Sequence, residues 1–357
     1  MSSNSNAIKV AVAGIGNMIS GLVQGIHYYQ ERPSDKTMLH PKVGGFQIND
    51  IEIVAAFDIS EEKVGKDLSE AIYEHPNKVP SSIEVPISGV IVNKVPVFDG
   101  IAESATGVVK ESKAKDCDVV SVLNACDADV LVIAVPSGAV EAAEYFANAA
   151  LEANVALVNA SPAPIARNSS WARKFREARL PLLGDDLQSQ AGGTIFHKGL
   201  INLLFEIGVR VLDTYQLDVS GGLEGLTTLD YERRQFKRKV KEESISRSTD
   251  ELFNIASGTT DYLDFLGSTR IGNYWVKGEG FLGQPITLDI RMNSLDSSNG
   301  AASLVDAIRC AKIALNRVIG GPVASVSPYL FKAPPIYMEH SEGIQAFNDF
   351  ASGKRTD

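Results

Sequence analysis

Lys237 and Lys241 stand four residues apart in a charged segment that reads as a helix over residues 230–243, with Arg233, Arg234, Arg238 and Lys239 beside them. That spacing brings both ammonium groups out on one helix face. Like charges held side by side lower each other's proton affinity, and burial lowers it further. A lysine so placed can move protons near neutral pH. The plain alternative is a solvated basic helix surface. Lys277 lies beside Tyr274, Trp275 and Val276, and Lys332 lies among Tyr329, Leu330, Phe331 and Ala333. A charge in an apolar strand needs a partner, unless it guards a sheet edge against aggregation. His27, His40, His75, His197 and His340 show no ligand spacing, so no metal is assigned from them. Cys117, Cys126 and Cys310 are too far apart for a disulfide framework or a zinc motif. The chain has no G-x-S-x-G or Walker sequence, which removes the serine hydrolase and P-loop classes.

The stretch that must organise these groups is Lys9 to Ile26, KVAVAGIGNMISGLVQGI. An apolar strand around Val10 to Ala13 runs into Gly14, Ile15, Gly16 and Asn17, and an apolar-periodic helix follows through Leu22, Val23 and Ile26. Gly14 permits a tight turn, and Gly16 leaves room for a pyrophosphate to approach the helix amides. The full dinucleotide fingerprint asks for a third glycine where this chain has Ile19, followed by Ser20 and Gly21. An ordinary α/β turn without a ligand is the other reading. A second strand, Ile51 to Phe57, ends at Asp58. An acid at that tip binds the adenosine ribose of NAD and disfavours NADP; otherwise it caps a helix starting near Ser60. Residues 30–50, rich in Pro, Gly, Asp and His, read as a surface insertion that doubles the usual interval of roughly 20 residues before this acid.

Residues 61–72 read as helical, and 74–100 as strand fragments and loops. Strands over 129–135, 155–159 and 180–183 then alternate with helices over 139–150 and 171–179. Such alternation predicts an α/β fold, a doubly wound parallel sheet with ligands at the carboxyl ends of its strands. Pro136, Ser137, Gly138, Asn159, Asp185 and Asp186 occupy such ends. Beyond residue 190 the pattern becomes a helix over 195–209, a strand over 215–219, the basic helix, and alternating strands over 272–277 and 286–292 that suggest an antiparallel sheet. A helix over 301–319 presents Leu304, Ile308, Ala311 and Leu315 as one stripe and stops at Gly320, Gly321 and Pro322. A weak amphipathic piece follows the tail at 329–335. The expected division is therefore 1–195 plus 300–357 as a nucleotide-binding domain, and 196–299 as a second, α+β catalytic and oligomerisation domain.

A chain of 357 residues with 44% apolar and 22% charged residues is globular in composition. Its net charge of −10 argues against a general nucleic-acid partner. No apolar run reaches membrane-spanning length and no export signal is evident, so a cytoplasmic location is expected.

Several blocks together resemble one family, the myo-inositol-1-phosphate (inositol-3-phosphate) synthases of the bacterial and archaeal type. They are GIGNMISGLVQGIHYY, VAAFDISEEKVGKDLSEAI, LVNASPAPIA, GDDLQSQAGGTIFHKGL, LDSSNGAASLVDAIRCAKIALNR, GGP and SPYLFKAPP, in the family's order from residue 9 to about 336. The resemblance implies a Rossmann-type fold and conversion of glucose 6-phosphate to inositol monophosphate, with NAD regenerated at each turnover. Hydride leaves C5, the resulting ketone acidifies the C6 protons, the C6 enolate attacks the C1 aldehyde, and the hydride returns to C5. It also implies a homotetramer built through the sheet of the middle domain. By position it implies Lys237 and Lys241 as paired helix lysines, Lys277 as a strand lysine, Lys332 as the lysine before Ala-Pro, and Asp186 and Asp296 as acids that orient them. Ser189 and Gln190 correspond to phosphate contacts. Gly14, Gly16, Asn17, Met18, Ile19, Ser20, Asp58, Pro136, Ser137, Asn159 and Asp185 correspond to the cofactor site. A divalent metal or monovalent cation is left open, since family members differ and no ligand cluster stands out here.

Two departures stand against the pattern. Gln188 replaces a usual lysine, and residues 221–225, GGLEG, replace a segment that carries Asn and Asp. A second register, with ISRS at 245–248 aligned to the family's ISKS, puts Glu243 and Arg247 in place of the lysine pair. Two other functions stay open: a net sugar-phosphate dehydrogenase that releases NADH, and a non-catalytic NAD or sugar-phosphate sensor.

Overall fold

The computed structural model of the chain describes residues 6–357, apart from the side chains of Asp296 and Ser297. The first half runs β1 (Ile8–Ala13), α1 (Asn17–Glu31), β2 (Ile51–Asp58), α2 (Leu68–Ala71), β3 (Val92–Lys94) and α3 (Val119–Ala125). It continues with β4 (Val130–Ile133), α4 (Val140–Glu152), β5 (Ala156–Asn159), α5 (Ser169–Glu177), β6 (Pro181–Leu183) and α6 (Gly193–Glu206). Next come β7 (Arg210–Ser220), α7 (Leu223–Thr227), α8 (Tyr231–Ser246), β8 (Asn254–Tyr262), β9 (Thr269–Glu279) and β10 (Pro285–Leu295). The chain closes with α9 (Asp296–Asn316), β11 (Gly321–Pro322), α10 (Ser327–Leu330) and α11 (His340–Ala351).

Seven strands form one sheet in the order β11-β6-β5-β4-β1-β2-β3, and every pairing is parallel. Its strands are short apolar runs because both faces are covered. On one face Val10 and Val132 pack with Leu22 and Ile26 of α1 and Leu304, Ile308 and Ala311 of α9. On the other Leu131 and Phe57 pack with Phe146 of α4 and Phe175 of α5. The late helix α9 thus returns to the first sheet. Strand order reverses between β1 and β4, which opens a crevice at their carboxyl ends, where ligands of such sheets bind.

The second sheet has the order β10-β9-β7-β8. β10-β9 and β9-β7 are antiparallel, but β7-β8 is parallel, so the sheet is mixed and not the purely antiparallel one expected from its alternating strands. A parallel neighbour requires a long crossover, and α7 with α8 supplies it. The strand β8, NIASGTTDY, escapes a periodicity search because it lacks regular apolar alternation. A second difference lies at 61–72, where only α2 is helical. Gly65 there has φ +83, which interrupts the helix, and the Asp67 side chain caps the short turn that follows by accepting from Ser69 N.

Candidate active site

The crevice begins at the glycine turn. Gly14 has φ +90, and a Cβ at this position would lie 2.7 Å from the Ala134 carbonyl oxygen, so only glycine fits between β1 and β4. Gly16 faces open space and stands as the N-cap of α1 without any side-chain cap. The first amides of α1 are therefore unclaimed by a capping side chain, and the positive end of its dipole faces the crevice. Gly16, Asn17, Met18 and Ile19 line the cavity, as do Pro136 and Ser137 from the loop after β4. An open cradle of this kind fits the pyrophosphate of a dinucleotide. Asp58 shapes the cradle from behind: its carboxylate accepts from Ile15 N at 2.7 Å, Ile59 N at 2.7 Å and Ser60 N at 2.9 Å. Lys63 donates to the Ile15 carbonyl at 2.7 Å. Asp58 is buried and is not in the cavity wall.

Deeper in, two buried carboxylates each gather two cations. Asp186, just past β6, accepts from Lys237 at 3.1 Å and from Lys332 at 2.8 Å, both on Oδ1. Its Oδ2 is buried with no partner among the described residues, an acceptor left for a ligand. Burial alone would raise this carboxyl, but the two ammonium groups outweigh it and hold its pKa down to about 2. Asp218, on β7, takes Lys241 and, at 3.4 Å, Arg270 of β9, while Gln216 donates to both of its oxygens at 3.0 and 3.1 Å. Its pKa is likewise lowered, burial being outweighed by Lys241 and Arg270.

The two lysines come from successive turns of α8, yet their environments push them in opposite directions. Lys237 also meets Glu224 of α7 at 3.1 Å, and Glu224 accepts from Ser137 Oγ at 2.6 Å. Burial works against the charge on Lys237, but Asp186 and Glu224 prevail and raise its pKa above the ordinary lysine value. For Lys241 burial prevails; Asp218 opposes it, the Arg270 charge adds to it, and the pKa falls. The expectation that the pair would depress each other therefore holds in direction for Lys241 and fails for Lys237, whose two carboxylates decide its state. Of the two pairs, Lys237 and Lys241 are buried and line the cavity, whereas Glu243 is half-buried, Arg247 is exposed and stacks against Tyr337, and neither lines it.

Other residues singled out from the sequence fall elsewhere. Lys277 is exposed on the outer face of the second sheet, because β9 alternates and turns Tyr274 and Val276 inward. It does not enter the cavity; the cation that β9 sends there is Arg270, seven residues earlier. The side chain of Asp296 lies outside the described residues. Asn159 and Asp185 sit beneath the site: Asn159 donates to Asp185 at 2.7 Å, and Asp185 also accepts from Ala166 N at 2.8 Å and Arg167 N at 3.2 Å. Burial raises Asp185 to about 6. Ser20 is buried within α1 and accepts from Gln24 at 3.2 Å. Ser189 lines the cavity, while Gln190 lines a small recess beside it. Gln188 is buried and donates to the Tyr329 carbonyl at 3.3 Å. Among the described residues no group of three or more His, Cys, Asp or Glu could hold a metal ion, and no helix is long and apolar enough to cross a membrane.

Sequence reading missed Asp218, Glu224 and Arg270. A signal for Asp218 was present. In β7 the even positions Thr214, Gln216, Asp218 and Ser220 are all polar while Tyr215, Leu217 and Val219 are apolar. Such alternation normally turns the apolar set inward, but here the polar set is the buried one. The second sheet thus turns a polar face to the cavity.

Comparison with known proteins adds the following. Residues 192–297 match the family model described as myo-inositol-1-phosphate synthase. The inositol-3-phosphate synthase of Mycolicibacterium smegmatis is 38% identical over 345 residues, spanning 94% of this chain and 95% of the relative. The crystal structure of Ari2 is 29% identical and aligns with a TM-score of 0.78 over 97% of this chain and 99% of its own. A myo-inositol-1-phosphate synthase-related protein from Thermotoga maritima shares the fold, with a TM-score of 0.80 at 22% identity over 97% of this chain and 98% of its own.

Proposed function

The chain belongs to the myo-inositol-1-phosphate synthase family, and on that premise we propose how its pocket converts D-glucose 6-phosphate to 1D-myo-inositol 3-phosphate, an intramolecular lyase reaction of the isomerase class. We assign NAD to the glycine cradle, held by the amides of Gly16 to Ile19 and the loop at Pro136 and Ser137. When bound, NAD supplies a hydride acceptor for C5 that also returns the hydride, so the overall change is redox-neutral. The protein's own side chains must then move protons and stabilise negative oxygens while excluding water.

The divided behaviour of the lysine pair supports this assignment. Lys237, fixed as a cation between Asp186 and Glu224, serves as the electrostatic partner of a developing alkoxide or enolate oxygen. Lys241, whose proton is held less tightly, serves as the proton carrier for enolisation at C6 and for the aldol step. Arg270 cannot give up its proton and so acts as a permanent charge. Lys332 is oriented by Asp186 and the Leu187 carbonyl, at 2.8 and 3.0 Å. Ser189 and Gln190, with the N-terminus of α6, are the proposed phosphate contacts. A homotetramer through the outer face of the second sheet, where Tyr215 stacks on Trp275 at 5.7 Å, and a cytoplasmic location complete the proposal.

The observation that carries it is the convergence of two carboxylate-bridged cation pairs in one cavity with the glycine cradle. Incubation of the purified protein with NAD and glucose 6-phosphate tests it. The expected result is a cyclised inositol monophosphate, detected by phosphorus NMR, with no steady growth of NADH absorbance. Accumulating NADH without cyclised product would overturn it in favour of a net sugar-phosphate dehydrogenase.

A further inference from the structure

We propose that Lys198 is the charge-compensating residue for a phosphate dianion seated between Lys332 and the N-terminus of α6, and that it takes up a proton when that dianion arrives. The inference rests on the glucose 6-phosphate reading of the same pocket. Lys198 is 6% exposed and lies on the buried stripe of α6. Thr194, four residues earlier, lines the main cavity, and Ile195, three residues earlier, lines the adjoining recess. Residues at these intervals share a helix face, and helical side chains lean toward the N-terminus. Lys198 itself is in the wall of neither, so it sits one helical turn behind the residues that border the cavity.

Its surroundings lack the counter-charge that buried cations need. Five lysines of the described chain are buried, namely Lys63, Lys94, Lys198, Lys237 and Lys241. Lys63 has Asp58 at 4.0 Å, Lys94 has Asp116 at 2.7 Å, Lys237 has Asp186 at 3.1 Å, and Lys241 has Asp218. Lys198 has no carboxylate among the described residues. The charged groups that reach it are Lys332, from the segment after α10, and His340, at the start of α11. β7 and α8, which also pack on α6, turn Asp218 and Lys241 toward His197 instead. Burial, with the Lys332 charge added, holds the pKa of Lys198 down to about 7.

A buried amine beside a second amine, with no acid near, is poorly compensated unless an anion joins them. Lys332 lines the cavity but is already matched by Asp186, so a dianion beside it lacks a second cation. Protonated Lys198 supplies that charge. One N–H bond forms at Nζ with a proton from solvent, and no bond of the ligand breaks.

The test is calorimetric titration of the NADH-loaded protein with glucose 6-phosphate at pH 8, in buffers of different ionisation enthalpy. The reduced cofactor accepts no hydride, so the readout is binding and proton count. The wild type is expected to take up close to one proton per site. Lys198→Arg, which is always charged, should bind within about threefold of wild type and take up none; Lys198→Met should bind about tenfold or more weakly and also take up none. Unchanged NADH affinity shows that each variant is folded. Proton uptake by both variants equal to that of the wild type would overturn the inference. If the wild type fails to bind glucose 6-phosphate, the functional reading falls on its own. The same proton count with inorganic phosphate on the three proteins then decides the role of Lys198.

Discussion

The two ends of the pocket solve one electrostatic problem in different ways. Asp186 stands between Lys237 and Lys332, and Asp218 stands between Lys241 and Arg270. Each is a carboxylate bridging two cations, and α8 contributes a lysine to each. They differ in what surrounds that lysine. At the first end Glu224 adds a second acid, so Lys237 is locked as a cation; at the second an arginine adds a positive charge, so Lys241 holds its proton less tightly. Neighbours, not residue type, separate a fixed charge from a proton carrier.

Breaking the second end should have the largest effect. Lys241→Met removes the proton carrier while leaving Asp218 matched by Arg270, and kcat should fall by about 10³-fold with NAD affinity unchanged, as read by steady-state kinetics and cofactor titration. A similar loss for Lys237→Met with retained activity in Lys241→Met would reverse the two roles.

Breaking the first end through its carboxylate should show in stability. Asp186→Asn leaves Lys237 and Lys332 without their shared carboxylate and should cost about 3 kcal/mol in denaturant unfolding. The pH dependence follows from the lowered carboxyl. Asp186 has a pKa of about 2 in the folded chain, below its unfolded value, so its contribution is complete above about pH 4 and is lost as pH falls toward 2. The wild type should lose about 2 kcal/mol across that window beyond whatever Asp186→Asn loses. Equal acid sensitivity of the two proteins would remove this assignment.

Glu224→Gln sharpens the contrast by making the first end resemble the second. With one acid gone, Lys237 should hold its proton less tightly, which moves the alkaline limb of the kcat profile to lower pH and lowers kcat about tenfold. An unmoved limb would show that Glu224 does not set the charge of Lys237. The smallest effect is expected at Lys277→Ala. This residue lies on the outer face proposed for subunit contacts and away from the cavity, so in the assembled protein it should leave kcat/KM within about twofold; a larger loss of turnover with assembly intact would place the outer face in the chemistry.

The scaffold was legible where one residue type has one physical use. Gly14 at φ +90 between two strands, the apolar runs of β1, β4 and β5, and the stripe of α9 all follow from local rules. The lysine spacing in α8 was legible as a shared face, and the structure adds that this face is the inner one. Choices of side were harder. Lys277 and Arg270 lie on the same strand seven positions apart, and an odd separation puts them on opposite faces, so which cation points inward depends on the register of β9 against β7. Asp218 was hidden because its strand buries the polar set. Glu224 lies on a helix of a single short turn that has no periodic signal. Asn159 and Asp185, placed at strand ends by the sequence, hydrogen-bond each other, a link between two strand ends that no local pattern announces.

The helix α8 carries one further consequence. Because Lys237 and Lys241 ride on consecutive turns, their backbone positions are separated by about 6 Å along a rigid rod. Neither can be retuned alone by sliding the helix; any shift carries both together, like two teeth of one key. Altered preference for a longer or shorter sugar must then arise in the surfaces facing that key.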